Sequence, residues 1–385
     1  MECRYLQSVF DAYGVGASVI GVKNGHASEQ YVIRLEPGTR IRAVKCLTSE
    51  IAMTLNAPAK AVSFTTEDGC VILSVNNYEK QTADFSELAV DMAFFQNKEL
   101  VPIGATQAGA PLYTSLNSDE PHLLIGGTTR SGKTTFLQAL ILALAVKNSP
   151  DELQFVLVAG SSDGFAPFSA LPHLACGILY EYAEIERVLN NVIAEMDRRV
   201  RARRININAR FSKLVVVIDE ADCVISMSEK GIRGDVGQVI ARLAKEGGKY
   251  NISLIVGAHD PSGGVIPAGA LKCMNKRVCL QVACAKDSRQ IIDVPDGAKL
   301  GGRGDLLFSH NGESTRCQGY FISQSDLSEI AVRLSGVSMA FPSKEKHAVP
   351  GNVVAMHSHK KNLLPDSFVS FKQPWPLNHP QRVAL

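Results

Sequence analysis

Short runs in which nearly every residue is apolar recur through the middle of this chain. His122-Leu-Leu-Ile125, Gln154-Phe-Val-Leu-Val158, Lys213-Leu-Val-Val-Val-Ile218, Ser253-Leu-Ile-Val256 and Arg277-Val-Cys-Leu-Gln-Val282 are five of them. Strands that are apolar on both faces are what a parallel sheet covered on each side demands. Thr134 to Val146, between the first two, is apolar all round and predicts a buried helix. Residues 98–338 therefore predict an α/β domain, a mostly parallel sheet with helices on both faces.

Residues 1–97 have a different pattern, that of a small α+β domain. Tyr31-Val-Ile-Arg-Leu35 alternates apolar and polar positions and is closed by Pro37-Gly38, a strand followed by a turn. Ala43-Val44 and Val71-Ile-Leu-Ser-Val75 are further strand candidates, and Glu50 to Leu55 has helical spacing. From residue 339 the periodicity fades. This stretch of 339–385 holds six of the 17 prolines, four of the nine histidines and the single tryptophan, Trp375. It reads as an extended tail, suited to binding a partner protein.

Composition narrows the class without naming a function. The 385 residues are 45% hydrophobic and 20% charged, enough for a sizeable core. A net charge of +2 means that any nucleic-acid surface must be a local patch. Nine cysteines, an odd number with no C-x-x-C pair, argue against a disulfide framework or zinc site and fit a reducing cytoplasm. The longest apolar run, Ala139 to Val146, is far short of a membrane span, so no membrane association is expected.

One motif carries chemistry. Gly127-Thr128-Thr129-Arg130-Ser131-Gly132-Lys133-Thr134 fits G-x-x-x-x-G-K-[ST], with a strand before it and a helix after it. Such a loop turns backbone N–H groups toward phosphates at the positive end of a helix. Lys133 is then placed to reach the β- and γ-phosphates of ATP and Thr134 to bind Mg²⁺, with Thr135 the last residue of the expected nucleotide-binding stretch. The apolar run Leu214 to Ile218 ends in Asp219-Glu220, carboxylates at the tip of a buried strand, where nucleotides bind in such sheets. Asp219 is expected in the Mg²⁺ shell, and Glu220 is expected to polarise the attacking water.

Several segments beyond this loop carry a resemblance. Pro121-His-Leu-Leu-Ile-Gly-Gly-Thr-Thr-Arg-Ser-Gly-Lys133, Leu171-Pro-His-Leu174, Glu195-Met-Asp-Arg-Arg199, Ile240-Ala-Arg-Leu-Ala244, Asp287-Ser-Arg-Gln-Ile-Ile-Asp293 and Gly302-Arg-Gly-Asp-Leu-Leu307 are similar in order and content to segments of the FtsK/SpoIIIE family of hexameric double-stranded DNA translocases. Over residues 1–97, Tyr13-Gly14-Val15, Pro37-Gly38 and Leu47-Thr-Ser-Glu-Ile-Ala52 resemble its smaller motor subdomain. The resemblance implies a RecA-like P-loop ATPase, with ATP and Mg²⁺ as cofactors. It also implies a homo-oligomeric ring around duplex DNA, here as a motor core with neither membrane anchor nor C-terminal winged helix.

Departures from the family's pattern bear on mechanism. Where the family has T-Q-R-P-S, this chain has Ala258-His259-Asp260-Pro261-Ser262. His259 retains a donor for the γ-phosphate, with pH dependence near neutrality, whereas Asp260 would repel DNA phosphate. The arginine that the family offers to the neighbour's ATP aligns with Gly248, leaving Lys249, Arg242 and Arg277 as candidates for a trans-acting cation. The resemblance implies DNA contacts at Ser262, Lys286 and Arg289. The run Arg198 to Arg204 is the most basic in the chain, and reads as a DNA path or, more commonly, as a solvated or inter-subunit helix face. The expected function is ATP-driven movement of duplex DNA without base readout. The alternative is a slowly hydrolysing, ATP-switched clamp that delivers DNA to a partner.

Overall fold

The computed structural model describes residues 2–24, 28–57, 59–76, 82–107, 109–160, 163–228, 236–259 and 266–336. Asp260, Ser262 and the tail from 337 onward lie outside the described residues.

The N-terminal part begins with helix α1 (Glu2–Ala12), followed by strands β1 (Ala17–Asn24) and β2 (Ser28–Leu35). Helices α2 (Ile41–Cys46) and α3 (Thr48–Thr54) come next, then β3 (Val62–Glu67) and β4 (Cys70–Asn76). The four strands form an antiparallel sheet in the order β1-β2-β4-β3. Leu6, Phe10, Tyr31, Ile33, Val44, Ile51 and Leu73 form its core. Ala43 and Val44, expected as a strand, belong to α2 instead. An apolar pair is too short to fix a period, and the burial of Val44, Leu47 and Ile51 follows helical spacing.

The remaining helices and strands build one nine-stranded sheet. After α4 (Met92–Gln96) come β5 (Leu100–Thr106), β6 (Pro111–Ser115), β7 (Leu123–Gly126), α5 (Lys133–Lys147), β8 (Leu153–Ala159), α6 (Tyr182–Ile205) and β9 (Lys213–Asp219). Then follow α7 (Ala221–Ser228), α8 (Val236–Glu246), β10 (Ile252–Ala258), α9 (Ala268–Leu271), β11 (Lys276–Leu280), α10 (Ala285–Ile292), β12 (Asp305–His310), β13 (Glu313–Gln318) and α11 (Gln324–Leu334). The order is β6-β5-β13-β12-β11-β7-β10-β9-β8. Pairings from β11 to β8 are parallel and those from β11 to β6 antiparallel. The sheet is thus mixed, not mostly parallel. Its antiparallel half is built from less apolar strands: β13 carries Glu313, Ser314, Thr315 and Arg316.

Period-2 alternation sorts the parallel strands between two cores. Phe155, Leu157, Val215, Val217 and Ile255 face a cluster with α5 and α11, while Val156, Leu214, Val216, Ile218, Leu254 and Val256 face α6 and α8. Helix α5 is buried along nearly its whole length because Ala139 and Ala143 are covered on the far side by Leu88, Phe94 and Tyr320. Residues 83–97 accordingly pack on α5, and Phe85 N–H donates to Phe321 O. β7 lies inside the parallel half, between β10 and β11, where the chain's crossovers change direction. Such a reversal opens a crevice beyond the carboxyl ends of the strands.

Candidate nucleotide site

The phosphate loop leaves β7 inside that crevice. Gly127 N–H donates to Ala258 O, and Thr128 donates from both its N–H and its hydroxyl to Gln281 O, at 2.9 and 3.0 Å. Ser131 N–H returns to Thr128 O, closing a turn whose third residue, Arg130, has φ +65°. Gly132, at φ +107°, caps α5. Its bare Cα is required, since a Cβ would stand 2.7 Å from Gly304 N. The Gly302–Gly304 turn is bonded to the loop through Gly304 N–H to Ser131 O at 2.9 Å. Thr129 and Arg130 are exposed, and Thr135 is partly buried in the first turn of α5.

Below the loop, Lys133 is 5% exposed and its ammonium has no hydrogen-bond partner. Asp219 Oδ1 lies 3.9 Å away, and Asp219 Oδ2 accepts from the Thr134 hydroxyl at 2.8 Å. Burial pushes the Lys133 pKa down, opposed first by Asp219, and pushes the Asp219 pKa up, opposed first by Lys133. An orphaned buried amine beside a carboxylate and a hydroxyl suits a polyphosphate with a divalent cation: Lys133 for phosphate oxygen, Thr134 and Asp219 for the hard cation. Such a cation, when bound, neutralises phosphate charge.

Across the crevice stands Glu220, at φ +54°, its N–H donating to Asp219 Oδ1 at 3.0 Å. Its carboxylate is 3.6 Å from His259 Nε2. The other imidazole nitrogen is 3.2 Å from Gly127 O, and His259 N–H donates to Asp222 Oδ1 at 3.2 Å. The structure thus brings Lys133, Thr134, Asp219, Glu220 and His259 together. Three contributors escaped the sequence reading: Asp222, Gln281 and Gly160. A Cβ at Gly160 would stand 2.7 Å from Glu220 Cβ, so this glycine makes room for the acid. Only the glycine itself signals that role, and Ala159-Gly160 ends a strand without a recognisable motif.

The candidate trans-acting cations differ in how far they are committed. Arg277 donates to Met274 O, Ile291 O and Leu271 O, so its guanidinium ties β11 to α9 and α10. Arg242 pairs with Asp197 at 2.5 Å and lies 3.8 Å from Glu246. Lys249 is exposed on the 3₁₀ turn Gly247–Tyr250, whose Lys249 O accepts from Arg203 at 2.6 Å. Gly248 is buried under Ser118 and Pro121, and a Cβ there would lie 2.4 Å from Pro121 Cγ. No arginine fits that position.

Of the basic run, Arg199 is buried, donating to Ser212 O and Tyr250 O, and both Arg199 and Arg203 lie over the ring of Phe211. Those two arginines hold the β9 and β10 edges rather than facing outward. Lys286 and Arg289 are exposed on α10. All nine cysteines are free thiols. Among the described residues there is no cluster of metal-ligating side chains, and no helix is long and apolar enough to cross a membrane.

The model of the FtsK/SpoIIIE family matches residues 88–320, and that of the FtsK alpha domain matches residues 1–75. The Bacillus subtilis DNA translocase SftA is 27% identical over 340 residues, 83% of this chain and 35% of its own length. A Staphylococcus epidermidis DNA translocase FtsK is 27% identical over 351 residues, 85% of this chain and 43% of its own length. This chain therefore spans less than half the length of these relatives. Among solved structures, the monomer form of the pCW3 conjugation coupling protein TcpA with ATPγS has a TM-score of 0.60 at 14% identity, covering 86% of this chain and 99% of that one. The cytoplasmic domain of the Thermomonospora curvata type VII secretion ATPase EccC has a TM-score of 0.57 at 22% identity, covering 70% of this chain and 36% of that one.

Proposed function

We propose that this chain, which belongs to the FtsK/SpoIIIE family and carries its P-loop ATPase, couples ATP hydrolysis to movement along double-stranded DNA. The observation that carries the hydrolytic part is the buried Lys133 ammonium, without a hydrogen-bond partner, beside the Thr134–Asp219 hydrogen bond, with Glu220 next to Asp219. Lys133 and the loop N–H groups hold the phosphates, and Thr134 and Asp219 hold Mg²⁺. Glu220 accepts a proton from water as its oxygen bonds to the γ-phosphorus. The bond to the β–γ bridging oxygen breaks, and its electron pair leaves with ADP. His259 Nδ1 donates to Gly127 O, which leaves Nε2, 3.6 Å from Glu220, to donate to the γ-phosphate.

The names of the relatives, DNA translocases over more than four fifths of this chain, support duplex DNA as the substrate. We assign the DNA face to Lys286, Arg289 and Ser262, with contacts to phosphates and not to bases. A homo-oligomeric ring, a hexamer in this reading, encircles the duplex, and residues 339–385 engage a partner protein. We place the protein in the cytoplasm. The packing of residues 83–97 on α5 supports assigning them to the ATPase, so that residues 1–76 form the smaller domain. Lys249, Arg242 and, least of all, Arg277 remain for any trans contact.

Gly248 favours a second reading. Without a trans arginine there, slow turnover would suit an ATP-switched clamp that hands DNA to its partner. ATP hydrolysis with and without long linear duplex DNA separates the two. Strong stimulation, abolished by Lys133→Ala and Glu220→Gln, supports the motor. Tight DNA binding with negligible turnover rejects the motor and leaves the clamp.

A further inference from the structure

Two arginines occupy backbone conformations that normally call for glycine, and both border the phosphate loop. Arg130 has φ +65° and Arg303 φ +52°. Arg130 fills the left-handed third position of the Thr128–Ser131 turn, a place that favours glycine. Arg303 lies between Gly302 at φ +69° and Gly304 at φ +85°, three left-handed residues in succession. A residue with a Cβ is costly there, and such strain persists where the surroundings impose it, commonly at functional sites.

The two sites are adjacent. Gly304 N–H donates to Ser131 O, so the residue after Arg303 is bonded to the residue after Arg130. Gln318 Nε2 fixes the turn by donating to Arg303 O at 2.9 Å. Other arginines around this sheet are consumed by protein acceptors: Arg199 and Arg277 by carbonyls, and Arg316 by both oxygens of Asp305. Arg130 and Arg303 are exposed, and neither has a carboxylate or carbonyl partner among the described residues. Two exposed arginines without a protein partner, on turns bonded to each other at the phosphate loop, are available to an anion. Gly248, meanwhile, is closed to the arginine that a neighbouring subunit would supply.

We propose that Arg130 and Arg303 form a guanidinium pair, on the same chain as the phosphate loop, that grips the γ-phosphate of ATP. The pair neutralises the negative charge that builds as water bonds to the γ-phosphorus and the bridging oxygen departs with its electron pair on ADP. Glu220 takes the proton, and the arginines donate N–H groups without giving up protons of their own. This rests on the ATPase reading and deepens it, because chemistry at each site then needs no cation from a neighbour. Assembly around DNA sets movement, not basal hydrolysis.

The test uses Arg130→Gly, Arg303→Gly and Arg130→Lys in the full chain. Glycine suits both backbone positions, so thermal melting should show the glycine variants at least as stable as the parent. Each glycine variant should lose about 100-fold in kcat. By competition against a fluorescent nucleotide, affinity for ADP–aluminium fluoride should fall by about tenfold or more, while that for ADP changes by less than about threefold. Lysine should recover under about a tenth of the lost rate, lacking the planar fork. Parent turnover per chain should not change on dilution. Glycine variants within about twofold of the parent in both kcat and analogue affinity would overturn the pair. So would parent turnover that collapses on dilution. If Lys133→Ala left turnover intact, the ATPase reading itself would fail, whatever the arginines do.

Discussion

Replacing Gly160 by alanine probes how Glu220 is held. Gly160 follows β8 directly, and its missing Cβ lies where three atoms of the Asp219-Glu220 step converge. An added methyl would stand 2.7 Å from Glu220 Cβ, and 3.2 Å from both Asp219 O and Glu220 Oε2. Ordinary contact begins at about 3.4 Å, so the glutamate Cβ must retreat by several tenths of an ångström or more. It has little freedom to do so. Glu220 already sits at φ +54°, its N–H is bonded to Asp219, and Asp219 is buried against Lys133. Overpacking of this kind costs about 1–3 kcal/mol in stability. Misplacing a catalytic group by about 1 Å costs about 100-fold in rate. Gly160→Ala should therefore lower kcat by about 10- to 100-fold while ATP affinity, set by Lys133 and the loop, stays within about threefold. Steady-state hydrolysis and fluorescent-nucleotide binding read the two quantities. In a Glu220→Gln background the same change should cost almost nothing further, because both act through one carboxylate. Unaltered kcat in the single variant, or full additivity in the double, would refute the argument.

Other consequences can be checked separately. Gly248→Arg should not restore a trans arginine; with a Cβ placed 2.4 Å from Pro121 Cγ, it should destabilise the fold by about 3 kcal/mol in a denaturant titration. His122 accepts from Leu254 N–H, and burial, aided by the charge of Lys213 against a backbone contact at Ala244, pushes its pKa from 6.5 down to about 4. The unfolded chain then binds the extra proton first: stability is complete above pH 6.5 and falls as pH drops toward 4, by roughly 3 kcal/mol. His122→Gln should flatten that acid limb in urea melts. Lys286→Ala and Arg289→Ala should each weaken duplex binding and make the plot of log affinity against log salt shallower by about one unit, with no change in sequence preference.

The arrangement of the candidate nucleotide site was legible because its chemistry is local. Lys133, Thr134 and the acids at the end of β9 sit in fixed register with an apolar strand, and the structure brings Lys133, Thr134 and Asp219 together as that spacing implies. The parallel half of the sheet was legible because strands buried on both faces leave unbroken apolar runs. The antiparallel half was not. β13 pairs with β12 across Asn311-Gly312, at φ +52° and +83°, but its exposed residues are polar and its period faint. β5 contains Pro102 and Gly104, with a bulge between them opposite β6. The packing of Pro121 over Gly248 and of Gly160 under Glu220 joins residues far apart in the chain, which no spacing rule reaches. Arg199 and Arg203 look like surface charge in sequence because nothing local foretells the carbonyls that they bind.

The central claim, that hydrolysis at Lys133 and Glu220 drives movement along duplex DNA, is tested most directly by displacement of a third strand. A fluorescent oligonucleotide paired as a triplex at one end of a linear duplex is released only when a motor travels the intervening length. The account predicts ATP-dependent release after a lag that grows with duplex length, abolished by Lys133→Ala and by Glu220→Gln. ATP hydrolysis and duplex binding with no displacement at any length would contradict it.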